Sequence, residues 1–193
     1  MPIMTFRYRR FLILVIIILA IFVAASNFKW IGRILYPVNY GEYIIDFSEK
    51  YDVDPFLVSA IIRVESKYYK DAISHKGARG LMQVAPITGK WACQEIGIDN
   101  YSDELLFDPK INIEIGCWYL SKLFKQFNDD TELVIAAYNG GSGNVSKWLK
   151  DKRYSVDGEK LDNIPFKETE LYVKKVLKSY AIYSRLYEIE DLK

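Results

Sequence analysis

Histidine occurs once in the 193 residues, at His75, and cysteine twice, at Cys93 and Cys117. These three side chains cannot supply the four ligands of a structural zinc site, so no metal is expected, and no other cofactor. Neither cysteine lies near enough to the N-terminus to serve as a lipid attachment point. Outside the cytoplasm the pair could form a disulfide or remain two buried thiols, and spacing alone leaves both open. Acidic residues are missing before Glu42, while Arg7, Arg9, Arg10 and Lys29 fall in the first thirty residues. The rest of the chain carries 22 basic and 25 acidic groups, a net charge of about −3. Such a body lacks the clustered cations that phosphate backbones require, which excludes nucleic acid as a partner. The local run Lys174–Lys178 reads as a solvated helix face. Alternating strand patterns, internal repeats and low-complexity segments are also missing, which points to a mainly α single domain.

The N-terminus is the part richest in apolar residues. "RYRR" precedes "FLILVIIILAIFVAA", Phe11 to Ala25, an unbroken apolar run. With Ser26, Asn27 and Phe28 it approaches the length of a membrane span, and Lys29 and Trp30 fit as interface anchors. The basic flank sets the N-terminus inside and the body outside. "VAAS", Val23 to Ser26, would also suit signal-peptide cleavage. The expectation is a single-pass anchor over residues 1–30, a connector over 31–42 and a body over 43–193. The body then lies outside the cytoplasm, or is secreted if the segment is cut.

Helix signals follow one another through the body. Tyr43, Ile44 and Phe47 share a face within Gly41–Lys50. Asp54-Pro55 is a cap followed by proline at the first helical position, and it opens a helix to about Ser66. Pro86 opens a helix that Gly97 closes. Asp108-Pro109 repeats the cap and starts a helix with Ile113, Cys117, Leu120 and Phe124 in a stripe. "DTELVIAAYNGG" is a helix stopped by Gly140 and Gly141, "NVSKWLK" a short one. "KETELYVKKVLKSYAIYSRLY" closes the chain, with Tyr172, Val176 and Tyr180 four apart.

The helix "DPFLVSAIIRVES" contains an anomaly. At about 100° per residue, with Val58 at zero, Glu65 falls at about 340°, inside the apolar arc. Ser59 and Arg63 fall opposite. A carboxyl aimed at the core must find a partner or keep its proton, and the negative end of the helix dipole acts in the same direction. A carboxylic acid that holds its proton near neutral pH is what glycoside cleavage requires of a general acid. A plain structural role, a frayed end or a buried ion pair with arginine, is the competing reading.

Two further stretches bear on this. "SHKGARGLMQVAP" is a loop whose Gly77 and Gly80 permit backbone conformations closed to other residues. It carries Met82, an adaptable apolar side chain, and Gln83, whose amide both donates and accepts. "AYNGG" puts Tyr138 and Asn139 at a helix end, where site residues often lie. His75 and Lys76 have no assigned role.

Glu65-Ser66, Gly80-Leu81-Met82-Gln83, Ala137-Tyr138-Asn139 and a late-helix tyrosine, in this order, resemble the motifs of the lytic transglycosylases. These are lysozyme-like enzymes of the soluble-lytic-transglycosylase type that cut peptidoglycan. The resemblance runs from about Tyr40 to Tyr187. It implies a lysozyme-like catalytic domain, monomeric, acting on glycan strands as a lyase. Glu65 would protonate the oxygen between N-acetylmuramic acid and N-acetylglucosamine. It would then take the proton of the muramic C6 hydroxyl as that oxygen attacks C1, leaving a 1,6-anhydro end. Ser66, Gly80, Met82, Gln83, Tyr138 and Asn139 would line the groove or brace Glu65. The late tyrosine falls on Tyr172, with Tyr180 and Tyr183 in the same helix. One carboxylate suffices here, because an intramolecular hydroxyl needs no second group to activate water. Asp71, the next acid after Glu65, is the residue that could upset this. A hydrolytic lysozyme on the same scaffold, a non-catalytic glycan-binding module and a membrane-anchored scaffold protein are the alternatives.

Overall fold

The computed structural model describes the backbone of residues 2–192 and the side chains of residues 8–23 and 27–192. Expectations resting on Arg7 and on Ala24–Ser26 of the cleavage-site motif lie outside those side chains. The chain divides into two compact units, Met1–Pro37 and Val38–Lys193.

The first unit is α1 (Pro2–Ser26) followed by α2 (Phe28–Leu35). From Tyr8 to Val23 the apolar side chains of α1 are exposed on every face. Among the described residues no single helix is long and apolar enough to cross a membrane. The bent pair Tyr8–Val23 with Phe28–Leu35 meets the length and composition requirement together.

Among the described residues the second unit is built from seven helices: α3 (Gly41–Tyr51), α4 (Pro55–Glu65), α5 (Pro86–Ile96), α6 (Pro109–Gln126), α7 (Thr131–Gly140), α8 (Ser142–Leu149) and α9 (Lys167–Leu186). Short 3₁₀ turns at Asp103–Phe107 and Ile189–Leu192 complete it. Its only extended pairings among the described residues are two isolated bridges, Ile73 with Arg79 and Arg79 with Val84. The mainly α architecture expected from the sequence is therefore what forms.

The caps act where the sequence puts them. Asp54 Oδ1 accepts from the backbone N–H of Phe56 at 2.7 Å and of Leu57 at 3.3 Å. Asp108 accepts from Ile111 N at 3.0 Å, and Asp130, a cap not read from the sequence, accepts from Leu133 N at 3.0 Å. Each satisfies a donor that the first helical turn leaves open. Gly97 ends α5 in the left-handed region at φ 78°.

Burial of the helices exceeds what the stripes imply. In α6, Asn112, Ile113, Ile115, Gly116, Cys117 and Trp118 are all buried, so this helix runs through the core rather than along its edge. In α4, every residue from Leu57 to Ile62 is buried. The helical wheel set Ser59 opposite the apolar arc; it is instead fully buried. Its hydroxyl donates to the Pro55 carbonyl at 2.8 Å, which satisfies the group without water. Helix α4 packs on both α3 and α9, so two of its faces are covered. Cys93 and Cys117 are buried free thiols, not a disulfide.

The loop between α4 and α5 is held by one side chain of α6. Asn112 is fully buried. Its Oδ1 accepts from Met82 N at 2.7 Å, and its Nδ2 donates to the carbonyls of Leu106 at 2.7 Å and Arg79 at 3.0 Å. Met82, also fully buried, fills the gap left by Gly116, where a Cβ would stand 2.1 Å from its sulfur. Gly80 lies at φ 77°, and a Cβ there would meet the Leu106 carbonyl at 2.1 Å and Asn112 Nδ2 at 2.3 Å. Gly77 shares the left-handed conformation at φ 80° but faces open space.

This contrast gives a stability test. Gly77→Ala is expected to cost about 1 kcal/mol, the left-handed penalty alone. Gly80→Ala adds a clash and a broken buried network, and is expected to cost more than about 3 kcal/mol. Urea denaturation of both variants checks the order; equal losses would contradict the loop geometry.

Candidate active site

Glu65 is the last residue of α4, and the chain turns away sharply after it. Lys67 and Tyr68 both take positive φ, 52° and 66°. Tyr68 is buried and its hydroxyl donates to the Ser59 carbonyl at 3.4 Å, which pins the turn back onto α4. Glu65 is thereby held half-buried at a fixed helix end.

Its carboxylate accepts a hydrogen bond from Tyr172 Oη at 2.7 Å, across 107 residues of chain. Burial pushes the carboxyl up from the usual 4.5 to about 7. The Tyr172 hydrogen bond opposes this by favouring the anion, and the negative charge of Glu168 adds to it. Burial and the neighbouring Glu65 charge push the Tyr172 hydroxyl well above its ordinary range, so it stays a neutral donor. Near neutral pH Glu65 is therefore divided between acid and carboxylate, and can both give and take a proton.

Of the three late tyrosines, then, Tyr172 meets Glu65. Tyr180 donates instead to Asp54 Oδ2 at 2.7 Å, bracing the N-terminus of α4. Tyr183 is fully buried. One helix, α9, thus grips α4 at both ends.

Tyr138 joins Glu65 to the loop. Its hydroxyl donates to the Met82 carbonyl at 2.8 Å, and Glu65 lies near enough for its charge to raise the Tyr138 hydroxyl's pKa. Tyr138 also lines a cleft of about 290 Å³ with Gln83, Thr88, Tyr119, Asn139 and Gly141. Gln83 takes positive φ, 50°. Its Nε2 donates to the carbonyls of Gly80 at 2.9 Å and Ala72 at 3.1 Å, which leaves Oε1 as the acceptor offered to a ligand. Asn139 is oriented by Thr169, whose hydroxyl donates to its Oδ1 at 2.8 Å.

The residues singled out from the sequence divide into two groups. Glu65, Gln83, Tyr138, Asn139 and Tyr172 converge on the carboxyl and the cleft. Ser66, Gly80 and Met82 build the site from behind. Ser66 returns its hydroxyl to the Ile62 carbonyl at 3.2 Å, Gly80 is buried, and Met82 contributes backbone groups while its side chain fills the core. Asp71 is exposed and paired with Lys70 at 2.8 Å. The acid whose charge Glu65 feels is Glu168, in the first turn of α9.

Asn112, Thr169 and Glu168 were not read from the sequence. Asn112 carried the same signal as Glu65, a polar side chain inside an apolar stretch, "INIEI". Thr169 lies one turn before Tyr172 on the same face, a hint only once Tyr172 is fixed. Glu168 had no signal, since it is exposed and matters through its charge.

Comparison with known proteins identifies the family. The family described as Transglycosylase SLT domain matches residues 42–160. The soluble lytic murein transglycosylase of Escherichia coli K12 is 34% identical over 154 residues, 79% of this chain and 24% of that protein. The membrane-bound lytic murein transglycosylase E of Buchnera aphidicola is 38% identical over 115 residues, 56% of this chain and 54% of that protein. Among solved structures, an inactive glutamate-to-glutamine mutant of lytic transglycosylase Slt from Pseudomonas aeruginosa superposes with a TM-score of 0.69 at 35% identity. It covers 79% of this chain and 25% of that one. The 70 kDa soluble lytic transglycosylase of Escherichia coli gives 0.71 at 31% identity, covering 83% and 26%. This chain spans about a quarter of the length of the soluble relatives, the quarter that holds the glutamate and its cleft here. With a matched domain, these relatives and a shared lysozyme-like fold, the chain belongs to the SLT transglycosylase family.

Proposed function

We propose that this protein is a peptidoglycan lytic transglycosylase, a lyase that cleaves glycan strands with Glu65 as sole acid and base. The observation that carries the reading is the Glu65 carboxyl at about 7, bonded to Tyr172 and close enough to act on Tyr138, which lines the cleft. Protonated Glu65 gives its proton to the bridging oxygen between N-acetylmuramic acid and N-acetylglucosamine. The resulting carboxylate, stabilised by the Tyr172 hydroxyl, takes the proton of the muramic C6 hydroxyl. That oxygen closes on C1 and leaves a 1,6-anhydro end. No separate group is needed to activate water, because the attacking hydroxyl belongs to the substrate. Asp71, the nearest acid in sequence, is exposed and tied to Lys70, which supports a single-carboxylate mechanism. The solved relative described as an inactive glutamate-to-glutamine mutant supports a glutamate as the essential group in the family. Gln83 and Asn139 are assigned to reading amide and hydroxyl groups of the sugars, with Tyr138 holding the loop against Glu65.

We also infer that residues 1–30 anchor the domain to the membrane, 31–42 connect them, and 43–193 form the catalytic body outside the cytoplasm, acting as a monomer. The all-round apolar surface of Tyr8–Val23 supports this, as do relatives described as membrane-bound. If so, full-length protein stays with membranes through high-salt and alkaline washing, whereas a chain lacking residues 1–30 is released. Release of the full chain at its intact mass would remove the anchor.

Digestion of purified peptidoglycan should yield muropeptides one water lighter than those of a hydrolase. Glu65→Gln should lower that yield by at least about a thousandfold while the protein stays folded. Products with reducing ends would favour the hydrolytic reading. The same variant reports on the fold. Because the folded carboxyl titrates near 7 rather than 4.5, the native state binds more protons than the unfolded state between those values. Stability therefore falls as pH rises from about 4.5 to 7, and Glu65→Gln should remove that loss and melt higher than wild type at pH 8.

Tyr172→Phe removes the donor that favours the anion, so the Glu65 carboxyl should titrate higher. The alkaline limb of kcat against pH should move upward, and kcat itself should fall about 10- to 100-fold. A fall in kcat with the limb unmoved would make Tyr172 a merely structural neighbour.

A further inference from the structure

Helices α5 and α6 both line the cleft and continue beyond it. Thr88 on α5 and Ile115 on α6 both line it. About one turn along α5, the Trp91 ring stands edge-to-face against Trp118 of α6, centroids 4.6 Å apart and planes at 75°. One turn further, Lys122 Nζ lies 3.9 Å from Glu95 Oε2 and 5.4 Å from the centre of the Trp118 ring. The seam between α5 and α6 thus carries, in order, the cleft wall, an aromatic pair and an ion pair.

The aromatic pair is asymmetric. Trp118 is 5% exposed and belongs to the core, while Trp91 is 43% exposed. Ile87, four residues before Trp91 on α5, is 82% exposed. A large ring left open beside a cleft, and braced from behind by a buried ring, is a rigid apolar surface that costs little entropy to use. The ion pair is long and both partners are well exposed, so breaking it to bond a ligand costs little.

We propose that Trp91 is the platform of an additional sugar subsite, where a further saccharide of the same glycan strand packs on the indole. Lys122 and Glu95 supply a donor and an acceptor to its hydroxyl and acetamido groups. The inference rests on the glycan-strand reading given above. A pyranose offers an apolar C–H face rimmed by hydroxyls, the pattern this surface complements. One helical turn, about 5.4 Å, is also the length scale of one sugar residue, so successive turns meet successive sugars. The net effect is to favour long strands over short ones.

The test compares the full chain with Trp91→Ala, Trp91→Phe and Lys122→Gln. Binding is titrated with N-acetylglucosamine oligomers of increasing length, and cleavage is followed on glycan strands of graded length, with and without their stem peptides. Trp91→Ala should weaken binding of the longest oligomers about tenfold, with KM on long strands rising in parallel. Short oligomers that end within the cleft should bind unchanged, and kcat should not move. Trp91→Phe should recover most of the loss, and Lys122→Gln should show a smaller loss with the same length dependence. A loss equal at every length, or no loss at any, overturns the subsite. So does a loss confined to peptide-bearing strands, which would assign the surface to the stem peptide. Length-dependent oligomer binding without cleavage would retain the subsite and remove the lyase reading. Normal cleavage that is blind to Trp91 would do the reverse.

Discussion

The hydrogen bond from Tyr172 to Glu65 joins the two helices on which the rest of the site depends. It closes a 107-residue span at 2.7 Å. Alone it would favour the anion, and burial alone would favour the neutral acid. The balance brings the carboxyl to about 7, where both forms are populated in ordinary conditions. A group with both forms populated is able to donate a proton and to recover one. The contact also constrains the fold: α9 reaches Glu65 through Tyr172 at one end of α4 and Asp54 through Tyr180 at the other.

The second constraint is the loop that faces this pair. It is irregular backbone, so its polar groups need partners that no helix or sheet supplies. Asn112 provides two of them from inside the core and ties them to the Leu106 carbonyl of the following 3₁₀ turn, and Gly80 and Gly116 keep the space clear for Asn112 and Met82. Tyr138 then ties the loop, through the Met82 carbonyl, to the cleft and to the neighbourhood of Glu65. The site is thus held from behind, and two side chains that line the cleft, Gln83 and Asn139, are already oriented by hydrogen bonds. Preorganisation of this kind lowers the entropic cost of holding a flexible polymer.

How much of this was legible varies by residue. The caps at Asp54 and Asp108 and the stop at Gly97 were local signals, and each acts in the structure. Glu65 stood out because a carboxyl within an apolar arc has few resting places. Ser59 misled the helical wheel, since a wheel assumes one buried face and α4 is covered on two. Asn112 was readable in principle by the same logic as Glu65, but its meaning depends on a loop about 30 residues earlier. Met82 looked like a side chain for a ligand and proves to be a core residue that works through its backbone.

From the sequence alone came the order of the helices, the carboxyl facing inward and the glycines that free a loop. These follow from near-neighbour physics: caps, periodicity and left-handed backbone are settled within a few residues. Only the folded chain decided which acid Glu65 feels, which side chains line the cleft and that Tyr180 turns to Asp54 while Tyr172 meets Glu65. Those choices depend on α4, α6, α7 and α9 coming together. Helix packing fixes them, and no spacing along the chain encodes a distance between segments so far apart.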